Sequence, residues 1–250
     1  MDLSPLTSKD LHAFHNYNLR IATYNVHGFP WISCPIKQIV TWITKNCDII
    51  ALQEVWSYHT DWSAAFAAQG WVFLHPARES HFATLFGSGL AFAWPSSRWA
   101  LRDSRQYPFL TSMGLDILAT KGWFRLDLLD KNTGEPLRII NTHLQADVDL
   151  MPGYFKRQAD SMRLTQARQI LKIEQSTRIP TLLIGDMNTD KNIFEGFTMF
   201  PSEAAVSEFT GIDRCGYRSG RPCTVLEWRV AHEAEGWSDH LPIVWTLDIA

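Results

Sequence analysis

A chain of 250 residues with 46% hydrophobic and 20% charged side chains can bury about 70–75% of its extended surface, and this composition excludes collagenous, coiled-coil and wholly disordered classes. The formal net charge of −3 gives no global positive field, so extended nucleic-acid binding would need a local basic patch, while a compact phosphate substrate stays open. No apolar run reaches bilayer length and residues 1–18 lack the features of a signal peptide, so the expected compartment is the cytoplasm; Cys34, Cys47, Cys215 and Cys223 show no CxxC spacing and read as free thiols.

Residues 1–18 read as a loose arm and 19–250 as one domain. Leu19 to Val26 is a strand with both faces largely apolar until Asn25. Pro35 to Asn46 spaces Ile36, Ile39, Val40 and Ile43 as a helix facing a core. A strand at Asp48 to Val55 follows, then a short helix at Asp61 to Gln69 that Gly70 stops, and a strand at Trp71 to Leu74. Leu90 to Trp94, Leu101 to Tyr107 and Gly122 to Leu129 read as strands of antiparallel character, and residues 131–134 turn into a strand at Leu137 to Leu144. The best later helix is Phe155 to Gln175, with Met162, Ile170, Leu171 and Ile173 as its apolar residues. A strand at Thr181 to Ile184, a helical turn within Ile193 to Phe200, and strands at Val225 to Val230 and Ile243 to Leu247 complete the chain. The pattern predicts one α+β domain of two packed sheets flanked by helices. Of the 11 tryptophans, Trp31, Trp56, Trp62, Trp94, Trp99 and Trp123 lie near turn signals, with core packing favoured over base stacking or a membrane interface.

Five polar insertions interrupt or adjoin these apolar strands: Asn25, Glu54, His143, Asp186 with Asn188, and Asp239 with His240. Each alone has an ordinary structural explanation, as a turn bond, an edge pair or a satisfied core histidine. Four lie at or just after the end of a strand and the fifth at the start of one. An antiparallel last strand begins on the edge where its neighbours finish, so all five can share one rim. Asn, Glu and Asp oxygens suit Mg²⁺ or Mn²⁺, with Glu54 as the first direct ligand, while two imidazoles and a carboxylate suit phosphoester hydrolysis. No HExxH pattern supports zinc, His12 and His15 sit in the arm, GlySerGly at 87–89 is not a GxSxG elbow, and no GxxxxGK[ST] loop occurs.

In order, TyrAsnValHisGly, LeuGlnGluVal, ThrHisLeuGlnAla, GlyAspMetAsn and SerAspHisLeuPro resemble the motifs of the endonuclease/exonuclease/phosphatase superfamily, and the resemblance runs from about Leu19 to the C-terminus. It implies a four-layered α/β sandwich with two mixed sheets, and a divalent-metal phosphoesterase. It also implies Glu54, Asn25 and Asp239 around the metal, Asp186 and Asn188 positioning nucleophile and phosphate, His143 on the phosphoryl oxygens, and His240 as general base or phosphate contact. One departure stands out. Many members carry an Arg-x-Asp-Tyr strand before SerAspHis, whereas 221–226 reads ArgProCysThrValLeu and places Cys223 at the acidic position; Asp213 or Glu227 could substitute, or the acid could be absent.

ThrHisLeuGlnAla and LysGlyTrp at 121–123 look most like the sphingomyelinase-type branch, and the aromatic loop 81–86 could touch lipid or fold over the core. Arg98, Arg102 and Arg105, and Lys156, Arg157, Arg163 and Arg168, form two basic groups without aromatic interleaving, which ranks phospholipid, with a possible peripheral membrane contact, above DNA or RNA. The expected function is a Mg²⁺-dependent phosphodiesterase acting on a sphingomyelin-like phospholipid. The alternatives are a Mg²⁺-dependent nuclease and a catalytically silent binding protein on the same fold.

Overall fold

The computed structural model describes residues 17–76, 87–147, 154–175, 179–200 and 210–249, so the loop at 81–86 and His12 and His15 lie outside the described residues. The elements run β1 (Tyr17–Asn25), α1 (Ile36–Asn46), β2 (Ile49–Gln53), α2 (His59–Ala67), β3 (Trp71–Leu74), β4 (Ala91–Pro95), β5 (Trp99–Pro108), β6 (Gly122–Asp130) and β7 (Pro136–His143). They continue with α3 (Tyr154–Ile173), β8 (Thr181–Asp186), β9 (Thr198–Met199), β10 (Asp213–Arg218), β11 (Cys223–Val230) and β12 (Ile243–Ile249).

These strands form two six-stranded mixed sheets, ordered β11-β12-β1-β2-β4-β3 and β5-β6-β7-β8-β10-β9. Leu19, Ile21 and Ala51 of the first sheet pack on Leu126, Ile139 and Ile184 of the second in the central core. The outer face of the first sheet buries Ala22, Tyr24 and Ile50 under Ile39 and Ile43 of α1 and Trp62 and Phe66 of α2. The outer face of the second buries Ile140 and Leu183 under Ala167 and Ile170 of α3. Helix, sheet, sheet and helix are the four layers. β2 is buried along its whole length, which explains why it reads as a continuous apolar run. Trp62, Trp94, Trp99 and Trp123 are core residues, whereas Trp31 is 71% exposed. All four cysteines are free thiols. No described helix is long and apolar enough to cross a membrane.

Several expectations are corrected. β1 begins at Tyr17, so its pairing with β12 draws two residues from the stretch read as an arm. α3 turns Ala159, Arg163, Gln166, Ala167 and Ile170 inward and leaves Ile173 half exposed. Its polar inward residues have partners: Arg163 donates to the Gln145 carbonyl and Gln166 Oε1 accepts the Gln145 amide. Residues 193–200 are not helical. The Phe197 amide closes a turn onto Phe194 O, Gly196 has φ +80°, and the chain then enters β9 so that Phe194, Phe197 and Phe200 can all be buried. β10 escaped the sequence reading because AspArgCysGlyTyrArg carries charge at both ends; its place beside β8 is fixed by pairing rather than by an apolar pattern.

Candidate active site

Parallel pairing of β1 with β2 and of β7 with β8 brings four strand ends to one edge of the sandwich. β12 runs antiparallel to β1 and β10 antiparallel to β8, so each of these begins at that same edge. The rim therefore collects Asn25 and His143 as the last residues of β1 and β7, Asp186 at the end of β8, Glu54 just past β2, and Asp239 and His240 in the turn before β12. It also collects Asp213, the first residue of β10, paired opposite Asp186.

The two sheets meet through these side chains. Asn25 Nδ2 donates to Glu54 Oε1 at 2.9 Å and to Asp186 Oδ2 at 3.2 Å, and Asn25 Oδ1 accepts the His27 amide at 3.1 Å. His143 Nε2 lies 3.5 Å from Asp186 Oδ2 and 3.9 Å from Glu54 Oε1. His240 Nδ1 is bonded to Asp213 Oδ2 at 2.6 Å, and its Nε2 lies 3.8 Å from Asp186 Oδ2. Asn188, at φ +49°, takes its place through its own amide on Asp186 Oδ1 at 2.9 Å and through Nδ2 on Leu144 O at 3.0 Å. Asp239 sits beside this group rather than within it: its carboxylate accepts Ser238 Oγ at 3.1 Å and lies 3.3 Å from His27 Nδ1.

Burial sets the protonation pattern. His143 is held well below the ordinary histidine range by desolvation, with the charges of Lys121 and His240 adding to the effect, so it is neutral. Burial would also lower His240, but Asp213, by charge and by hydrogen bond, together with Asp186 and Asp239, pushes it up to about 10. Asp186 is raised to about 6 by burial and by the Asp213 charge, and Asp213 itself is raised by burial.

Asp213, not Cys223, is the side chain that meets His240. Cys223 lies on β11, paired with Ile249, whereas the acid that meets the histidine stands ten residues earlier. The signal was present in the strand-edge argument itself, since an antiparallel strand beside β8 must start at the rim. Sequence reasoning named Lys121 only as part of LysGlyTrp and gave it no role at the rim; it is buried, donates to Leu144 O at 2.9 Å and pairs with Asp116 at 3.0 Å. Of the two basic groups, Arg98 is paired with Asp48 and Asp130 and Arg163 with Asp147 and Asp160, so neither of these guanidiniums faces a ligand alone.

The acceptor-rich rim fits a hard dication. Two carboxylate oxygens converge on one Asn25 amide, and His143 Nδ1 and Asp213 Oδ1 are buried without a hydrogen-bond partner among the described residues. Asp186, Asp213 and His240 offer ligand atoms within 4.8 Å of one another, but the 2.6 Å bond between His240 and Asp213 already uses that edge. Outside that bond, the Glu54 and Asp186 carboxylates both face Asn25.

The fold recurs widely. Sphingomyelinase C from Streptomyces griseocarneus superposes with a TM-score of 0.66 at 19% identity, over 92% of this chain and 99% of that one. The D. rerio TDP2 complex with single-strand DNA product gives 0.68 at 16% identity, over 92% and 98%. A Staphylococcus aureus beta toxin variant with bound magnesium ions gives 0.65 at 14% identity, over 92% and 99%. No curated protein sequence matches the chain significantly. The family model described as Endonuclease/Exonuclease/phosphatase matches residues 22–202, which span four of the five motifs and most of both sheets, and the chain belongs to that family, whose members are divalent-metal hydrolases of phosphoester bonds.

Proposed function

We propose that this protein is a Mg²⁺-dependent phosphodiesterase that hydrolyses a phospholipid of sphingomyelin type. The observation that carries the hydrolase reading is the buried His240–Asp213 pair, whose second imidazole nitrogen faces Asp186 at 3.8 Å across the rim from Glu54 and Asn25. Glu54 and Asp186 would hold the cation, joined by Asn25 once its amide is turned so that Oδ1 replaces Nδ2 between the two carboxylates, with Asp239 closing the exposed side. The bound dication would neutralise phosphate charge and polarise the phosphorus centre. Asp213 fixes the His240 ring so that Nε2 points at the attacking water, and Asp186 orients that water from the other side. A cation that offset the Asp186 and Asp239 charges would lower His240 from about 10 toward the range where it can accept a proton near neutral pH. Neutral His143 donates an N–H to a phosphoryl oxygen, as does the Asn188 amide.

The lipid reading rests on the mouth of the site. Trp31 at 71%, Leu110 at 85% and Ile117 at 58% exposure stand on the β1–α1 and β5–β6 loops. Trp31 stacks on Phe29 at 5.0 Å, and the β5–β6 loop is fastened to the chain beyond His143 by Asp116 Oδ2 on the Ala146 amide at 2.9 Å and by Gln145 Oε1 on the Met113 amide at 2.9 Å. Aliphatic side chains held outward beside a phosphate site suit an acyl surface better than a nucleic-acid backbone. The test compares one Mg²⁺-loaded sample against sphingomyelin vesicles, plasmid DNA and single-stranded RNA. Vesicle hydrolysis that Glu54→Gln abolishes and Trp31→Ala with Ile117→Ser weakens supports the proposal. Cleavage of nucleic acid alone, lost in Glu54→Gln, replaces the lipid by a polynucleotide, and no cleavage of any of the three overturns the enzyme reading.

A further inference from the structure

Gln53 of LeuGlnGluVal and Asn141, the residue before ThrHisLeuGlnAla, are amides that the metal and phosphate chemistry leaves unused. We propose that these two amides are positioning residues, a lock between the sheets that holds Glu54 against His143 and Asp186; the proposal rests on reading this rim as a metal-dependent phosphoesterase site.

Both residues are completely buried. Asn141 belongs to β7 in the second sheet, yet all its side-chain bonds go to the first: Oδ1 accepts Gln53 Nε2 at 2.8 Å, and Nδ2 donates to Leu52 O at 2.8 Å and to Ala91 O at 3.0 Å. Leu52 and Ala91 are paired residues at the rim-side end of the β2–β4 ladder. Gln53 Oε1 in turn accepts the Thr23 hydroxyl at 3.1 Å, so the chain of bonds runs from β1 through β2 to β7. The surrounding intersheet core is apolar, and apolar packing by itself tolerates small slides. A chain of directed hydrogen bonds in a dry interior does not.

Its position in the sequence gives the lock its use. Gln53 directly precedes Glu54, Thr23 lies two residues before Asn25, and Asn141 lies two residues before His143 on the same face of its strand. Glu54 adopts φ +57°, a left-handed backbone that strains a non-glycine residue and persists only where neighbours enforce it. Gln53 anchors the residue before it, and Gly28 N on Glu54 O at 2.9 Å and Val55 N on Gly89 O at 2.8 Å anchor the residue itself and the one after. The carboxylate is thereby turned back over the rim, within reach of Asn25 and His143 on opposite sheets.

The test is the double variant Gln53→Leu/Asn141→Leu, which removes the lock without leaving a buried amide unpaired. Gln53→Met, which removes the bonds of Gln53 to Asn141, Thr23 and Ala51 but keeps those of Asn141 to Leu52 O and Ala91 O, serves as the second variant if the double one does not fold. Three readouts are taken on folded protein: Mn²⁺ binding by calorimetry, steady-state turnover of a soluble phosphodiester, and the crystal structure. The lock predicts Mn²⁺ affinity weakened at least about tenfold, kcat lowered about 10- to 100-fold with KM within about twofold, and Glu54 released from its left-handed backbone. A role in folding alone would lower the melting temperature and leave all three unchanged, which overturns the proposal. If the wild-type protein hydrolyses nothing, the phosphoesterase reading fails while metal affinity and the Glu54 backbone still decide the lock; if it also binds no Mn²⁺, the backbone decides alone.

Discussion

Asp213 Oδ2 lies 2.6 Å from His240 Nδ1 although 27 residues separate them, and it arrives there because β10 begins opposite the residue on which β8 ends. The pair joins the two sheets, since β10 belongs to one and the turn carrying His240 leads into β12 of the other. Two buried carboxylates and one imidazole share this space, and the imidazole is the group that gains, rising to about 10.

Asp213→Asn keeps the size of the side chain and removes its charge. In metal-free protein the His240 titration, followed by imidazole NMR, should move from about 10 down toward the ordinary value of 6.5, because burial then acts with less opposition. Turnover should drop about 10²–10⁴-fold, as for loss of an oriented base. Cys223→Ala on β11 should stay within about twofold of wild type. An unchanged His240 titration in Asp213→Asn, or a large activity loss in Cys223→Ala, would return the supporting role to the 221–226 segment.

Glu54 combines strain with function. Glu54→Gln should abolish divalent-cation binding and lower turnover at least about 10²-fold, while thermal stability equals or exceeds that of wild type, since the variant relieves the repulsion of Glu54 on the buried Asp213. Glu54→Gly should be inactive and no less stable, because glycine adopts φ +57° freely. Scanning calorimetry on both variants checks this; a loss of several degrees in each would show that the carboxylate holds the rim together without a cation.

The layers and the rim were legible in the sequence because both rest on period. β2 and β8 read as apolar runs since both their faces are covered, and α1 shows its buried stripe at helical spacing. The polar residues stood out because each breaks such a run at its end. Asp213 was legible only as an alternative: its strand is short, charged and flanked by Arg, and nothing local marks an acid whose partner comes from another sheet. Phe194, Phe197 and Phe200 carried a helical spacing that a turn and an edge strand satisfy equally well, so periodicity could not separate the two. The inward face of α3 was misread for a related reason, since Arg163 and Gln166 are buried for their hydrogen bonds and not for their hydrophobicity.

If Asp186 is a ligand of the proposed cation, binding should depend on pH. Its folded value of about 6 lies above the ordinary 3.8, so in metal-free protein the stability it contributes is fully present below about 3.8 and is lost as pH rises through about 6. His143 is held well below the ordinary histidine range and His240 is pushed up to about 10, whereas Asp186, at about 6, titrates inside the pH 5 to 8 window in the metal-free protein. Below pH 6 a proton competes with the cation for Asp186. The rise in melting temperature on adding Mg²⁺ should therefore be small at pH 5 and full at pH 8, and Asp186→Asn should flatten that dependence. Equal Mg²⁺ stabilisation at both pH values would remove Asp186 from the cation site.

Gly185 tests the packing that sets the distance between His143 and Asp186. It has φ +137°, and a Cβ placed there would lie 2.0 Å from the backbone oxygen of Thr142, the residue paired with it on the neighbouring strand. No rotamer change relieves a clash with backbone, so β7 and β8 would have to part just where they deliver His143 and Asp186. Gly185→Ala should cost at least about 3 kcal/mol and give little soluble protein. Gly134→Ala, at φ +76° in the β6–β7 turn with open space around it, should cost only about 1 kcal/mol and leave turnover intact. Denaturant unfolding of the two variants side by side makes the comparison. A Gly185→Ala protein as stable as Gly134→Ala would mean that the two strands can separate at the rim without loss, and that the spacing of His143 and Asp186 is set elsewhere.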